Sequence, residues 1–333
     1  DYSGTASSES ASETSSQISA DSSQKKTWTR LETSDYLNEQ RTVDYNLYQE
    51  SKKNYSFQDP LIVVNPYGNS PLSAMVIFTT LDETAVDAVV YGHDRSGDIS
   101  TVFPSATVHM LPIYGLYPGE TTTVELTLDT GEYVDLSITA EDIDSVLTQA
   151  EVTAAADLSD ESISDTAATD SDGSSSLTFV CVSTADGGPY GAAAYDQNGD
   201  LRWILKTTEG TVLPMKRLKN GRLMRSSSQI IHGNYYASGL TEFDLCGKYY
   251  TEYLIPGGQH HDFVELENGN LLVCSSQKDF SSVEDRIVEI DRKTGEVVYE
   301  LNVSDLIDPS DGGSLNQTDS DWCHNNSIDY DPD

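Results

Sequence analysis

Between Pro60 and about Glu141, apolar and polar residues alternate in short bursts: LIVVN, AMVIFTT, AVDAVVYG, TTTVELTL and YVDLSIT, separated by Pro, Gly, Asp and Asn. Alternation puts every second side chain on one face of a strand, and short strands at this spacing predict an antiparallel β-sandwich. Ahead of it, residues 29–54 are polar with scattered Leu and Tyr, which predicts a short helix. The sandwich domain with its helix is therefore set at residues 29–149.

From Leu177 onward the strand-like pattern carries a repeat. Asp196-x-x-Gly199, Asp244-x-x-Gly247 and Asp291 with Gly295 place their aspartates 48 and 47 residues apart, and Leu218-Lys-Asn-Gly221 recurs 48 residues later as Leu266-Glu-Asn-Gly269. Two landmarks on one period predict paired hairpins, the four-stranded unit of a β-propeller blade. About three units fit in residues 177–333, fewer than a closed ring needs, so the propeller is expected to be truncated and unstable by itself. The expected class is all-β, a sandwich followed by a propeller.

Two stretches interrupt this order. Residues 1–28 are a Ser/Thr/Ala/Glu tract and residues 150–176 an acidic, Ser-rich one without aromatics. Neither can bury enough apolar surface to fold, so they are expected to be a disordered tail and a linker. No apolar run approaches 18 residues, so no membrane span is expected. The sequence opens on Asp1 and breaks off at Asp333 within a strand-like pattern, which suggests trimming at both ends.

The charge is lopsided, 19 basic against 55 acidic residues for a formal −36. Such a surface repels nucleic acid and anionic lipid, and an anionic substrate would need local compensation. The four cysteines (Cys181, Cys246, Cys274, Cys323) show no CxxC spacing and are expected to be small buried hydrophobes. Neither a phosphate-cradling GxxxxGK[ST] or GxGxxG nor a GxSxG elbow is present, so no nucleotide donor or cofactor is expected.

Candidate chemistry centres on histidines. His93, His109 and His232 read as structural or surface residues. His260-His261-Asp262 directly precedes FVELENGNLLV, and His324-Asn325-Asn326 directly precedes SIDYDPD. A shift of 64 residues lays His324 on His260 and Asn326 on Asp262; its excess over 48 matches the polar insertion DPSDGGSLNQTDSD. The preceding unit has Val212 there, so folding does not require histidine. Residues two apart on a strand share a face, so His260 with Asp262 and His324 with Asn326 are expected to point together toward a common channel. Imidazoles so placed suit acid–base or nucleophilic work. A structural pair is the bland alternative, and a zinc or iron site lacks a third ligand at a defined spacing.

Asn65-Pro-Tyr-Gly-Asn-Ser-Pro-Leu-Ser-Ala-Met75, Leu111-Pro-Ile-Tyr-Gly-Leu-Tyr-Pro-Gly-Glu120, the His260-His261-Asp262 hairpin and Asp321-Trp-Cys-His-Asn-Asn-Ser-Ile328 occur in this order. Together they resemble the bacterial arylsulfate sulfotransferases over about Thr27 to Asp333. The resemblance implies a propeller that is six-bladed when complete and a protein exported from the cytoplasm, to the periplasm or the cell surface, and often a homodimer; a lipid anchor upstream of residue 1 is left open. It implies ping-pong sulfuryl transfer from a phenolic sulfate donor to a phenol acceptor through a sulfated histidine, without a nucleotide sulfate donor; no cofactor is expected. It makes His324 and either His260 or His261 catalytic, register favouring His260, with Asn326 and Asp262 binding substrate. The nucleophilic histidine and a sulfate-binding arginine are implied in later blades, so the fragment alone is expected to be inactive. A non-catalytic binding propeller and a metal-dependent, sulfatase-like hydrolase remain alternative readings.

Overall fold

A computed structural model describes residues 35–143, 177–181, 190–207, 214–227, 229–233, 236–311 and 320–331. The expected tail at 1–28, the linker at 150–176 and Val212 lie outside the described residues. Among the described residues one α-helix, α1 (Asp35–Glu50), accompanies seventeen strands, and no helix is long and apolar enough to cross a membrane.

The first module holds β1 (Leu61–Val64), β2 (Ser73–Val90), β3 (Ile99–Tyr114), β4 (Thr121–Leu128) and β5 (Tyr133–Thr139). They form one antiparallel sheet ordered β1-β2-β4-β5, with β3 also paired to β2. The first half of β2 pairs with β1 and its second half with β4, while β3 follows both halves. Register breaks between Thr79 and Val86, where Leu81 is 99% exposed, and the sheet curls there. Ala74, Val76 and Phe78 of one half then share a core with Val86, Ala88 and Val90 of the other. A sandwich thus arises from a single folded-over sheet.

Two sequence expectations change here. AMVIFTT and AVDAVVYG are one strand, not two, and β3 was absent from the predicted set. Pro104 and Pro112 disguise β3, which pairs with β2 alone; an edge strand tolerates residues without an N–H.

The remaining strands form three sheets. The first is β6 (Thr178–Cys181), β7 (Tyr190–Tyr195) and β8 (Leu201–Lys206). The second comprises β9 (Met215–Arg217), β10 (Leu223–Ser226), β12 (Tyr236–Phe243) and β13 (Tyr249–Gln259) in chain order, with β11 (Ile230–His232) added beside the start of β12. The third is the meander β14 (Phe263–Glu265), β15 (Leu271–Ser275), β16 (Arg286–Ile290) and β17 (Val297–Asn302). Up-and-down sheets of three to five strands in series, among the described residues, are propeller-like architecture. Leu218, Met224 and Leu240 of the second sheet pack on Phe263, Val273 and Val288 of the third. Ala192, Ala194 and the fully buried Trp203 of the first pack on Leu223 and Phe243 of the second. Each buried Leu, Met, Val or Phe among them stabilises the stack by about 1.5–3 kcal/mol.

The 48-residue period is two recurring turns. The LxNG turns join β9 to β10 and β14 to β15, with Gly221 N–H donating to Leu218 O at 2.9 Å and Gly269 N–H to Leu266 O at 3.1 Å. The DxxG turns join β7 to β8 and β12 to β13, with Gly199 N–H on Asp196 O at 3.0 Å and Gly247 N–H on Asp244 O at 2.9 Å. The aspartate carboxylates cap these turns from within, accepting from Asn198 N–H and Cys246 N–H at 2.9 Å.

The first module docks on the DxxG turns. Ser70 Oγ donates to Leu245 O at 2.8 Å, and Cys246 packs with Leu47 of α1 and with Tyr67, Met75 and Ile77. Arg202, buried on β8, pairs with Asp196 at 2.9 Å and donates to the carbonyls of Gly97 and Gly115. Cys246 and Cys274 are buried free thiols, while Cys181 and Cys323 are only half-buried.

Gly221 and Gly247 both have φ 83°, but a Cβ on Gly221 meets nothing within 4 Å and one on Gly247 falls 1.7 Å from Asn69 Oδ1. Gly221→Ala should therefore cost about 1 kcal/mol, the left-handed backbone alone. Gly247→Ala should cost about 2–3 kcal/mol by adding the clash; equal losses in denaturant melts would mean the docking is loose.

Glu300 offers a second check. The buried Arg286 guanidinium, 2.8 Å away, holds its carboxyl down at about 2, against an ordinary 4.5. The depressed value means the stabilisation is complete above 4.5 and is lost as pH falls through about 2. Glu300→Gln should destabilise by about 1–2 kcal/mol at neutral pH, discounted for partial exposure, and by progressively less as pH falls toward and below the folded-state value.

Candidate functional site

An antiparallel meander alternates its turns between two ends. The LxNG and DxxG turns share one end, where the first module docks on the DxxG turns. The β13–β14 connector (residues 260–262), the β15–β16 loop (276–285) and the segment after β17 therefore meet at the other. Histidines and carboxylates gather there.

His260 closes β13 and is 1% exposed. One ring nitrogen, Nε2, lies 3.0 Å from Ser275 O; a carbonyl only accepts, so Nε2 carries the proton. Nδ1 is buried with no hydrogen-bond partner. Burial pushes the imidazole down to about 4, well below its ordinary range.

His261 turns the chain through a left-handed φ of 53°. Its ring stands edge-on to that of His260, with centroids 5.3 Å apart, and Nε2 comes to 3.6 Å from Glu284 Oε1. His324 adopts nearly the same backbone, φ 54°. Its Nδ1 lies 3.1 Å from Glu284 Oε2 and 3.0 Å from both Asp321 oxygens. The His261 and His324 ring centroids are 6.2 Å apart, and each side chain is about one-third exposed, 33% and 34%.

Two expectations are corrected by this geometry. The backbone conformation matches His324 to His261, 63 residues apart, whereas sequence register favoured His260 at 64. And His260 and Asp262 do not point together, because residues 260–262 are a turn and not a strand. Asp262 instead pairs with Lys216 at 2.6 Å and accepts from Phe263 N–H and Ile328 N–H. Asn326 is exposed, beyond the left-handed turn at His324.

Glu284 joins the two connectors and was not among the sequence candidates. It is fully buried, with its own φ at 57°, and its N–H donates to Ser276 Oγ at 3.1 Å. Tyr236 OH donates to Oε1 at 2.8 Å, and Asn325 N–H donates to the Glu284 carbonyl at 3.0 Å. Its neighbour Asp285 accepts from Trp322 Nε1 at 2.9 Å, so the tryptophan of the Asp321–Ile328 motif anchors the loop that carries His324. No spacing or turn signature marks Glu284; its importance is purely tertiary.

The other histidines sit elsewhere. His109 is buried and stacked on Phe78, with ring centroids 4.4 Å apart. His93 bridges Glu120 and Asp200 at 3.1 and 3.0 Å. His232 stacks on Phe280 at 4.3 Å, beside Tyr236 and so near the cluster.

A propeller-like series of up-and-down sheets, with a folded-over β module at one end and a histidine–carboxylate cluster at the other, defines the class of this protein. The chain matches the family Arylsulfotransferase (ASST) over residues 162–333 and the Arylsulfotransferase Ig-like domain over residues 61–142. It belongs to the arylsulfotransferase family. No curated protein matches the chain.

Since Asp262 ties the connector to Lys216 and to the backbone of Ile328, Asp262→Ala should lower stability by about 1–2 kcal/mol. It should also speed hydrogen exchange at Ile328; unchanged protection of that amide would show the tie to be idle.

Proposed function

We propose that the protein moves a sulfuryl group from a phenolic sulfate ester to a phenol acceptor, with His261 and His324 gripping the group in transit. The observation that carries this reading is their juxtaposition: two imidazoles from successive connectors, 6.2 Å apart and half-buried at one end of the array. Family membership supports aryl sulfuryl chemistry, and the absence of nucleotide-binding motifs agrees with an ester donor.

The route we infer is ping-pong. A neutral imidazole nitrogen attacks sulfur, the S–O bond to the aryl group breaks, and the phenolate leaves with a proton from a nearby acid. The acceptor phenol then attacks the N-sulfonated histidine, gives up its proton and regenerates the imidazole. In our reading that nucleophile is a further histidine, outside this pair. His324 Nδ1–H is held by Asp321 and Glu284, which leaves Nε2 to face the sulfuryl oxygens or the leaving phenolate. Carboxylates that hold an imidazole in this way fix its tautomer and orientation. His261 serves from the facing connector, and His260 supports it from the core. Asn326 is close enough in sequence to contact substrate, whereas Asp262 acts through the connector. We place this work outside the cytoplasm, on the Ser/Glu-rich composition of residues 1–28.

Preorganised groups that meet charge developing in a transition state contribute about 2.7–4 kcal/mol each. In the full-length protein, His324→Ala should thus lower turnover of a chromogenic aryl sulfate by at least about a hundredfold. Turnover near that of the unaltered protein would remove His324 from the mechanism. A nucleotide sulfate should not replace the aryl ester as donor.

A further inference from the structure

His260 bears on more than support. Its Nε2–H is committed to Ser275 O at 3.0 Å, which leaves Nδ1 as a bare lone pair, buried without a hydrogen-bond partner. One ring nitrogen of His260, one of His261 and a Glu284 carboxylate oxygen lie within 4.8 Å of one another. His261 Nε2 and Glu284 Oε1 are 3.6 Å apart. A tetrahedral ion with bonds of about 2.1 Å holds its ligand atoms about 3.4 Å apart, so this spacing suits a shared ion as well as a weak hydrogen bond.

The surroundings have the form of a metal site's outer layer. A ligating histidine characteristically donates its second ring N–H to a carbonyl or carboxylate, as His260 does to Ser275, and a ligating carboxylate is itself hydrogen-bonded, as Glu284 is by Tyr236 OH at 2.8 Å. We propose that His260 Nδ1, His261 Nε2 and Glu284 form a three-ligand site for a divalent transition metal, with the remaining coordination position open toward His324 and Asp321. Two imidazoles and a carboxylate suit Zn²⁺, Fe²⁺ or Mn²⁺ better than Ca²⁺ or Mg²⁺, which prefer oxygen throughout. A cation here would also offset Glu284, whose charge otherwise opposes an approaching sulfate ester. The binding claim rests on ligand geometry and stands independently of sulfuryl transfer; with the ion bound, His261 Nε2 is committed to it and His324 is the member of the pair left to face the sulfuryl group.

The test is direct. Full-length protein stripped with chelator, equilibrated with Zn²⁺ and desalted should retain one zinc per chain by elemental analysis, with a raised melting temperature. Glu284→Gln, which keeps the size and the Tyr236 contact, should weaken zinc binding by at least tenfold, while His324→Ala should retain the ion. Cobalt(II) in the unaltered protein provides a readout independent of any variant's folding. Tetrahedral d–d absorption without a thiolate charge-transfer band supports the site. A thiolate band, substoichiometric zinc, or a folded Glu284→Gln that binds zinc like the parent overturns it. Stoichiometric zinc in a full-length protein that transfers no sulfuryl group sustains the site and sinks the function proposed above.

Discussion

Parity governs this molecule. In an antiparallel meander each reversal of the chain returns it to the opposite end, so connections one, three and five share one rim and two, four and six the other. Backbone hydrogen bonding enforces that order with no help from side chains. The LxNG and DxxG turns are thereby confined to the rim where the immunoglobulin-like module docks. The irregular connectors, free to vary in length and chemistry, collect at the far rim and bring His261, Glu284 and His324 within reach of one another.

The far rim depends on buried charge. Glu284 is fully enclosed yet faces two imidazoles and a tyrosine hydroxyl. Burying a carboxylate is costly unless its partners are fixed in place. Here they are fixed: Trp322 pins the His324 loop to Asp285, and Asn325 N–H bonds the Glu284 carbonyl. Arg286, two residues further along at the start of β16, has the same problem and resolves it with the carbonyls of Pro256 and Ser276 and with Glu300. The acidic surface keeps the molecule apart from polyanions, while these interior pairs decide where an anion or a cation can sit.

Much of the architecture could be read from the chain because its turns demand particular residues. Gly221, Gly247 and Gly269 all require positive φ, so the hairpins announce themselves at a fixed period. β3 was hidden for the opposite reason: its prolines contradict strand propensity, and only pairing at an edge accommodates them. The kinship of the two histidine motifs was visible, since both precede a strand-like sequence pattern. Which of His260 and His261 faces His324 was not. Period-two reasoning fails where a residue turns left-handed, and a histidine gives no warning that it will. Glu284 escaped notice altogether, because a carboxylate in SSVEDR acquires meaning only from what folds over it.

The shared interior of the two modules has a consequence for synthesis. Ala193, Tyr195, Leu201 and Ile204 belong to the same apolar cluster as Phe78, Val90 and Ile113, although a long stretch of chain separates them. On the ribosome the immunoglobulin-like sheet emerges first, with part of its hydrophobic surface still awaiting β7 and β8. The module translated earlier can finish folding only after the later one has arrived, so nascent chains pass through an interval of exposed, sticky surface that a chaperone would recognise.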